Sequence, residues 1–252
     1  MGQLDGKVAV VIGGSKGLGY GIAQGFAAEG ATVVLASRGL EELQKKAAEI
    51  NAGKAGRAIP IKVDITSVQA IRDFVQEAVK QAGRIDILVN SAGINIREYA
   101  IDFEENDWDA VMNVQSKYVF FMCQTVARYW VDKGIKGRII NMASLTTFSG
   151  FKRMVAYGCA KAGIAQITKS LANEWAQYGI NVNALAPGYY LTEMTKPLFS
   201  DPEIVKSYLE KIPKGRMGEP GDLTGAAVLL AGPGGEYITG ITLPVDGGWL
   251  VD

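Results

Sequence analysis

Lys7-Val8-Ala9-Val10-Val11-Ile12-Gly13-Gly14-Ser15-Lys16-Gly17-Leu18-Gly19 joins a short apolar run directly to a glycine-rich turn. A nearly continuous apolar run, rich in valine, is what a strand buried on both faces requires. A helical pattern then continues to Glu29. A strand, a glycine turn and a helix N-terminus in succession make an anion site, because free backbone N–H groups and the helix dipole point at one spot. The spacing is G-x-x-x-G-x-G rather than the commoner G-x-G-x-x-G. Its place after the first strand marks Gly13, Ser15, Lys16, Gly17, Leu18 and Gly19 as a candidate phosphate cradle.

The alternation repeats along the chain. Residues 31–36, 58–63, 85–89, 137–142, 180–186 and 241–245 read as further strands. Helical stretches are expected at 40–51, 68–82, 104–133, 154–178 and 222–230. Seven strands alternating with helices of this length predict an α/β fold, a doubly wound parallel sheet with helices on both faces. Right-handed crossovers put every strand C-terminus on one edge, where ligands bind. Asp64 and the run Asn90-Ser91-Ala92-Gly93 fall on that edge. Residues 188–215, with Pro197, Pro202 and Pro213, break the rhythm as an active-site lid would. No linker, repeat or low-complexity tract divides the chain, so residues 1–252 read as one domain. A dinucleotide-binding half spans about 1–150, and a catalytic and lid half about 151–252.

The second strand ends in Ser37-Arg38. An acid at this point of a dinucleotide site would bind the adenosine ribose hydroxyls and repel a 2′-phosphate. Here no acid is present, and Arg38 and Lys16 offer two cations beside the Ser37 hydroxyl. NADP(H) is therefore favoured over NAD(H).

Composition removes several classes. The 26 basic and 26 acidic residues cancel, which argues against nucleic acid or an anionic membrane as partner. The chain has no histidine, so a Ser-His-Asp triad, a Cys-His pair or a His-based metal site is excluded, and no metal is expected. Cys123 and Cys159 form no metal or redox spacing. The N-terminus lacks a signal-peptide pattern, and no apolar run approaches the ~20 residues that span a bilayer. A soluble cytoplasmic protein is the expectation.

Proton transfer must then use another group. On a helix over 154–178, Tyr157 and Lys161 stand four residues apart on one face. A free tyrosine titrates near about 10, and bringing it to about 7 takes roughly 4 kcal/mol, part of which a neighbouring ammonium would supply. Ser144, thirteen residues before Tyr157, offers a hydroxyl to hold a substrate oxygen beside the phenol.

These residues together resemble the short-chain dehydrogenase/reductases, from Lys7 to the C-terminus. The resemblance rests on Gly13/Gly17/Gly19, Asp64, Asn90-x-Ala92-Gly93, Asn113, Ser144, Tyr157-x-x-x-Lys161, Pro187-Gly188 and Thr192. Two departures are Ile12, where a threonine is usual, and Ser91 in place of a second asparagine. The resemblance implies a Rossmann-type fold and an oxidoreductase with Tyr157 as general acid/base and Ser144 orienting the substrate. Lys161 would lower the tyrosine pKa and bind the nicotinamide ribose, and Asn113 would hold a water in the proton relay. It also implies cofactor contacts from Asp64, Ile65, Asn90, Ala92, Gly93, Tyr157, Lys161, Pro187, Gly188 and Thr192. A homotetramer built on the Tyr157 helix and the C-terminal strand is implied too, with Phe120, Phe121, Trp175, Trp249 and Leu250 as contacts.

Within the family, Ala92–Arg97, Ala172-Asn173-Glu174-Trp175 and Val245-Asp246-Gly247-Gly248-Trp249 look like sugar-acid enzymes of the gluconate 5-dehydrogenase and 2-deoxygluconate 3-dehydrogenase type. Asn95 and Arg97 are candidate substrate residues, Arg97 for a carboxylate. Lys152 and Arg153 are further cations for that role. Alternatives are a 3-oxoacyl thioester (acyl carrier protein) reductase, a general carbonyl reductase, and a non-catalytic NADP(H)-sensing protein.

Overall fold

Successive side chains of a strand face opposite sides, so the five apolar residues of β1 (Val8–Ile12) feed two cores at once. A computed structural model describes residues 2–53, 56–193, 195, 199 and 202–251. In it Val8, Val10 and Ile12 pack with Phe74, Met122 and Trp130 on one face of the sheet. Ala9 and Val11 pack with Ile22, Phe26 and Leu43 on the other. Burial of such side chains is worth about 1.5–3 kcal/mol each, which is why both strand faces are apolar.

The remaining strands are β2 (Thr32–Ser37), β3 (Arg57–Lys62), β4 (Ile87–Asn90), β5 (Arg138–Met142), β6 (Asn181–Pro187) and β7 (Thr242–Val245). All seven lie in one parallel sheet, in the order β3-β2-β1-β4-β5-β6-β7. Helices α1 (Gly17–Ala28) and α2 (Leu40–Asn51) cover one face, and α3 (Val68–Ala82) covers the other. The order reverses beside β1, between β2 and β4, which opens a crevice at the strand C-termini. Register brings the motifs level there. Ile12 pairs with Ala36 and Asn90, Asn90 with Asn141, and Asn141 with Ala184.

The expected helix over 104–133 is not continuous. It divides into α4 (Glu105–Met112), a π-helical turn at Asn113–Lys117, and α5 (Tyr118–Lys133). The Tyr118 N–H bonds the carbonyl of Asn113 five residues back, so one extra residue is inserted at Asn113. Apolar periodicity does not register such an insertion, because both flanking helices keep their buried faces. The helix expected over 154–178 is α6 (Val155–Trp175), finished by a 3₁₀ turn at Ala176–Tyr178. In the stretch 188–215, α7 spans Pro202–Leu209, and Pro197 lies outside the described residues. A 3₁₀ turn at Pro220–Leu223 leads into α8 (Thr224–Ala231). Among the described residues no helix is long and apolar enough to cross a membrane.

Candidate active site

The glycine turn is shaped by contacts that exclude side chains. Gly13 has φ of 79°, and a Cβ there would lie 2.6 Å from the Ala92 nitrogen. A Cβ on Gly19 would stand 2.4 Å from the Gly13 carbonyl oxygen and 3.1 Å from Ser91 Oγ. Ser91, the departure from the usual asparagine, thus packs against the turn itself. Helix α1 opens at Lys16 without a side-chain cap, which leaves its first N–H groups free for an anion. The Gly13 and Gly14 N–H groups both donate to Ala36 O, so Ser37 and Arg38 follow directly beside the turn. Lys16 and Arg38 are exposed. From the other side Thr192 closes on the turn, its Cγ2 lying 3.7 Å from where a Gly17 Cβ would be. These free donors, close backbone approaches and two cations fit a dinucleotide phosphate backbone.

Other expected cofactor residues divide into two kinds. Ala92 and Gly93 line the turn and the start of the β4 loop, with Gly93 against the Gln115 side chain. Pro187 ends β6, and Gly188 donates its N–H to Val245 O at 3.1 Å. Asp64 Oδ1 accepts from Thr66 N and Thr66 Oγ1, which hold its carboxyl below the usual range, helped by the nearby charges of Arg38 and Lys62. Ile65 packs against the core beneath it. Asn90 is different. Its Nδ2 donates to Asn141 Oδ1 at 2.9 Å and Cys123 Sγ at 3.2 Å inside the sheet. Its amide is therefore spent on the core, which leaves its backbone free to face the crevice.

Around Ser144, Tyr157 and Lys161 the chain is tied by hydrogen bonds. Ser144 ends the β5 loop and caps a 3₁₀ turn at Leu145–Thr147, its Oγ accepting from Thr146 N at 3.2 Å. That use leaves the Ser144 O–H as a donor. The Ser144 N–H donates to Thr147 Oγ1, and Thr147 Oγ1 donates to Lys161 O. Lys161 Nζ donates to Met142 O at 2.6 Å, so its side chain is strapped to the end of β5 and its backbone to the 3₁₀ turn that follows. Thr147 was not among the expected site residues. Its spacing from Ser144, S-x-x-T, resembles a capping pair and was the available signal. Ser116 Oγ, in the π-helical turn that begins at Asn113, donates to Ala160 O on the same helix.

Burial and nearby charge act together on this pair. Burial pushes the Tyr157 phenol above its ordinary range, while hydrogen bonding with Ser144 and the charge of Arg97 pull it back. Lys161 is itself held down to about 7 by burial. Its Nζ lies 5.5 Å from the centre of the Tyr157 ring and is committed to the Met142 carbonyl. In this structure both members of the pair are driven toward their neutral forms. The charge of Arg97 favours the phenolate.

Arg97 is exposed in the loop after β4. Arg153, expected as a carboxylate ligand, instead donates from Nη2 to Arg97 O at 3.2 Å and lies over the Tyr99 ring. Its φ of 62° is the one positive value at a non-glycine residue among those described. Strain of this kind costs about 1–3 kcal/mol and persists where surrounding contacts impose it. Arg153 therefore braces the Arg97 loop. Lys152 beside it is exposed. Asn95 Oδ1 is buried without a hydrogen-bond partner. Among the described residues no cluster of acids and cysteines could hold a metal.

The model of the short chain dehydrogenase family matches residues 7–203. The chain belongs to that family. It is an oxidoreductase acting on CH–OH donors with a nicotinamide cofactor. The dehydrogenase is 44% identical over 249 residues to the 2-dehydro-3-deoxy-D-gluconate 5-dehydrogenase of Dickeya dadantii, covering 98% of this chain and 97% of that protein. It is 37% identical to the gluconate 5-dehydrogenase of Gluconobacter oxydans, covering 99% of this chain and 96% of that protein. Among solved structures it is similar to a gluconate 5-dehydrogenase of Burkholderia cenocepacia in complex with NADP and tartrate. The TM-score is 0.93, with 35% identity over 99% of this chain and 97% of that one.

Proposed function

We propose that the dehydrogenase uses NADP(H) to interconvert an alcohol and a ketone on a gluconate-type sugar acid, with Tyr157 as general acid/base. The observation that carries this reading is the cation at Arg97, whose charge is felt at the Tyr157 phenol. A carboxylate held by Arg97 leaves the rest of a hydroxylated chain beside that phenol. The names of the Dickeya and Gluconobacter relatives point to the same class. So does the tartrate, a hydroxylated dicarboxylate, in the Burkholderia complex.

Ser144, hydrogen-bonded with Tyr157 in the free protein, turns its O–H to the substrate oxygen when substrate binds and fixes it beside Tyr157. In the oxidising direction Tyr157 takes the proton of the reacting hydroxyl, and in the reducing direction it returns one. The bound nicotinamide supplies or accepts the hydride at the same carbon. As base, Tyr157 must first lose its own proton. Ser144 and Arg97 lower the cost of that against the opposing burial. Lys161 holds the nicotinamide ribose, and Asn113 keeps a water through which the proton reaches solvent. Lys16 and Arg38 take the 2′-phosphate, in the absence of any acid at the end of β2. Four copies of the chain pack as a homotetramer, through the C-terminal strand and through the outer face of α5 and α6. That face carries a cleft of about 640 Å³ with Phe120, Val131, Ile167 and Trp175 in its walls.

The test is steady-state kinetics of the purified protein over sugar acids, neutral polyols, diketones and acyl thioesters, with both cofactors. The reading requires that a sugar acid with NADP(H) give the highest kcat/KM. A neutral diketone or an acyl thioester in first place would replace it.

A further inference from the structure

Three aromatic rings meet at the lid. Tyr189 follows Gly188 at the end of β6, Tyr208 lies on α7, and Trp249 opens the C-terminal 3₁₀ turn Trp249–Val251. The ring centres of Tyr189 and Tyr208 are 4.3 Å apart, and Tyr189 and Trp249 4.8 Å. Phe151, in the loop between Ser144 and Tyr157, lies 6.5 Å from the same indole. The cluster thus joins three separate segments to the loop that carries the chemistry. All three rings are half-buried, so each keeps an uncovered part.

We propose that Tyr189, Tyr208 and Trp249 form a specificity wall that receives the carbon chain of a hydroxylated acid beyond its reacting carbon. The proposal rests on the sugar-acid reading above and names the part of the site that would measure the length of the chain. Aromatic faces accept the C–H side of such a chain, and tyrosine hydroxyls pair with its hydroxyl groups. Tyr189 and Tyr208 carry hydroxyls that interact with each other. Burial and Tyr208 keep the Tyr189 phenol protonated, as a donor, while Arg97 acts on it in the opposite sense. Arg97 is therefore within electrostatic reach of both Tyr157 and Tyr189. A carboxylate at Arg97 would leave the chain between the phenol that exchanges protons and the aromatic wall. Lys211 Nζ, 5.8 Å from the centre of the Trp249 ring, adds a second positive charge on the lid side for an anionic substrate.

The experiment compares the wild-type protein with Trp249→Ala and Trp249→Phe, using 5-ketogluconate and diacetyl as reducible substrates. Trp249→Ala should raise KM for 5-ketogluconate about tenfold, the scale of a lost apolar contact to substrate. That rise should exceed the rise for diacetyl, which is too short to reach the wall, by at least fivefold. Trp249→Phe, which keeps an aromatic face, should recover most of the loss. The affinity for NADP(H) by fluorescence titration should match wild type, and Trp249→Phe, which keeps the aromatic contact, should keep the wild-type mass by light scattering. Equal losses on the two substrates, or a fall in the mass of Trp249→Phe, would overturn the wall and leave Trp249 as a folding or assembly contact. If wild type reduces diacetyl but no sugar acid, the proposal falls together with the functional reading it rests on. Should Trp249→Ala fail to fold, Tyr208→Leu carries the same expectations and the same overturning outcomes.

Discussion

The two halves of the cleft are built from different materials. On the β1–α1 side the site is backbone: glycines in close approach, uncapped N–H groups, and two exposed cations at Lys16 and Arg38. On the β5–α6 side it is side chains: a buried lysine, a partly buried phenol, and hydroxyls bonded into a chain through Thr147. Exposed charges act through a high dielectric and are screened by salt, so cofactor choice is adjustable in small steps. Buried groups have their protonation set by desolvation, so the catalytic side tolerates little change.

The sharpest way to break this comparison is Tyr157→Phe, which removes a proton and almost no volume. Turnover should fall by about 10²–10⁴-fold, while the circular dichroism spectrum and NADP(H) affinity stay at wild-type values. A variant that keeps more than a tenth of the wild-type rate would remove Tyr157 from the chemistry.

Next in size is the pH dependence of Lys161. Its folded pKa of about 7 lies below the unfolded value, so above pH 7 the unfolded chain binds the extra proton. Stability should therefore rise with pH from about 7 toward 10, at up to about 1.4 kcal/mol per unit. Lys161→Met lacks this contribution. Urea unfolding of both proteins without cofactor should show the stability advantage of the variant shrink by about 2–3 kcal/mol between pH 7.5 and 9.5. The buried tyrosines titrate alike in both and cancel. A pH-independent difference would show that Lys161 is solvated in the folded protein.

Arg97→Ala should give a smaller effect and sharpen the contrast, because the proposed function has an exposed charge serve the side-chain half of the cleft. It should raise KM for a keto-gluconate about ten- to a hundredfold, as a lost charged hydrogen bond would. The KM for diacetyl should move far less. Equal effects on both would make Arg97 a solvated loop charge.

The mildest change is on the cofactor side. Ser37→Asp with Arg38→Leu should shift the ratio of NADP(H) to NAD(H) affinities by at least tenfold toward NAD(H). Added salt should narrow the wild-type preference, because both cations are exposed. A wild-type protein indifferent to the 2′-phosphate would end this assignment.

Much of the architecture was legible in the chain because the determinants are local. Continuous valine-rich runs encode strands covered on both faces, and the glycine turn encodes its own backbone path, so all seven strands and the turn after β1 followed from short stretches. Tyr157 and Lys161 were legible for the same reason, as neighbours on one helix. What only the tertiary structure decided involves residues far apart in sequence, or one residue inserted without changing the apolar pattern. The π-helical turn at Asn113 is of the second kind. Of the first kind are the inward turn of Asn90 to Cys123 and Asn141, the strap from Lys161 to Met142, and the bracing of the Arg97 loop by Arg153. Protonation belongs there as well. A lysine four residues from a tyrosine on a helix reads as a cation beside a phenol. Burial by the packed sheet drives both toward neutrality, because a charge withdrawn from water loses more than a helical neighbour returns.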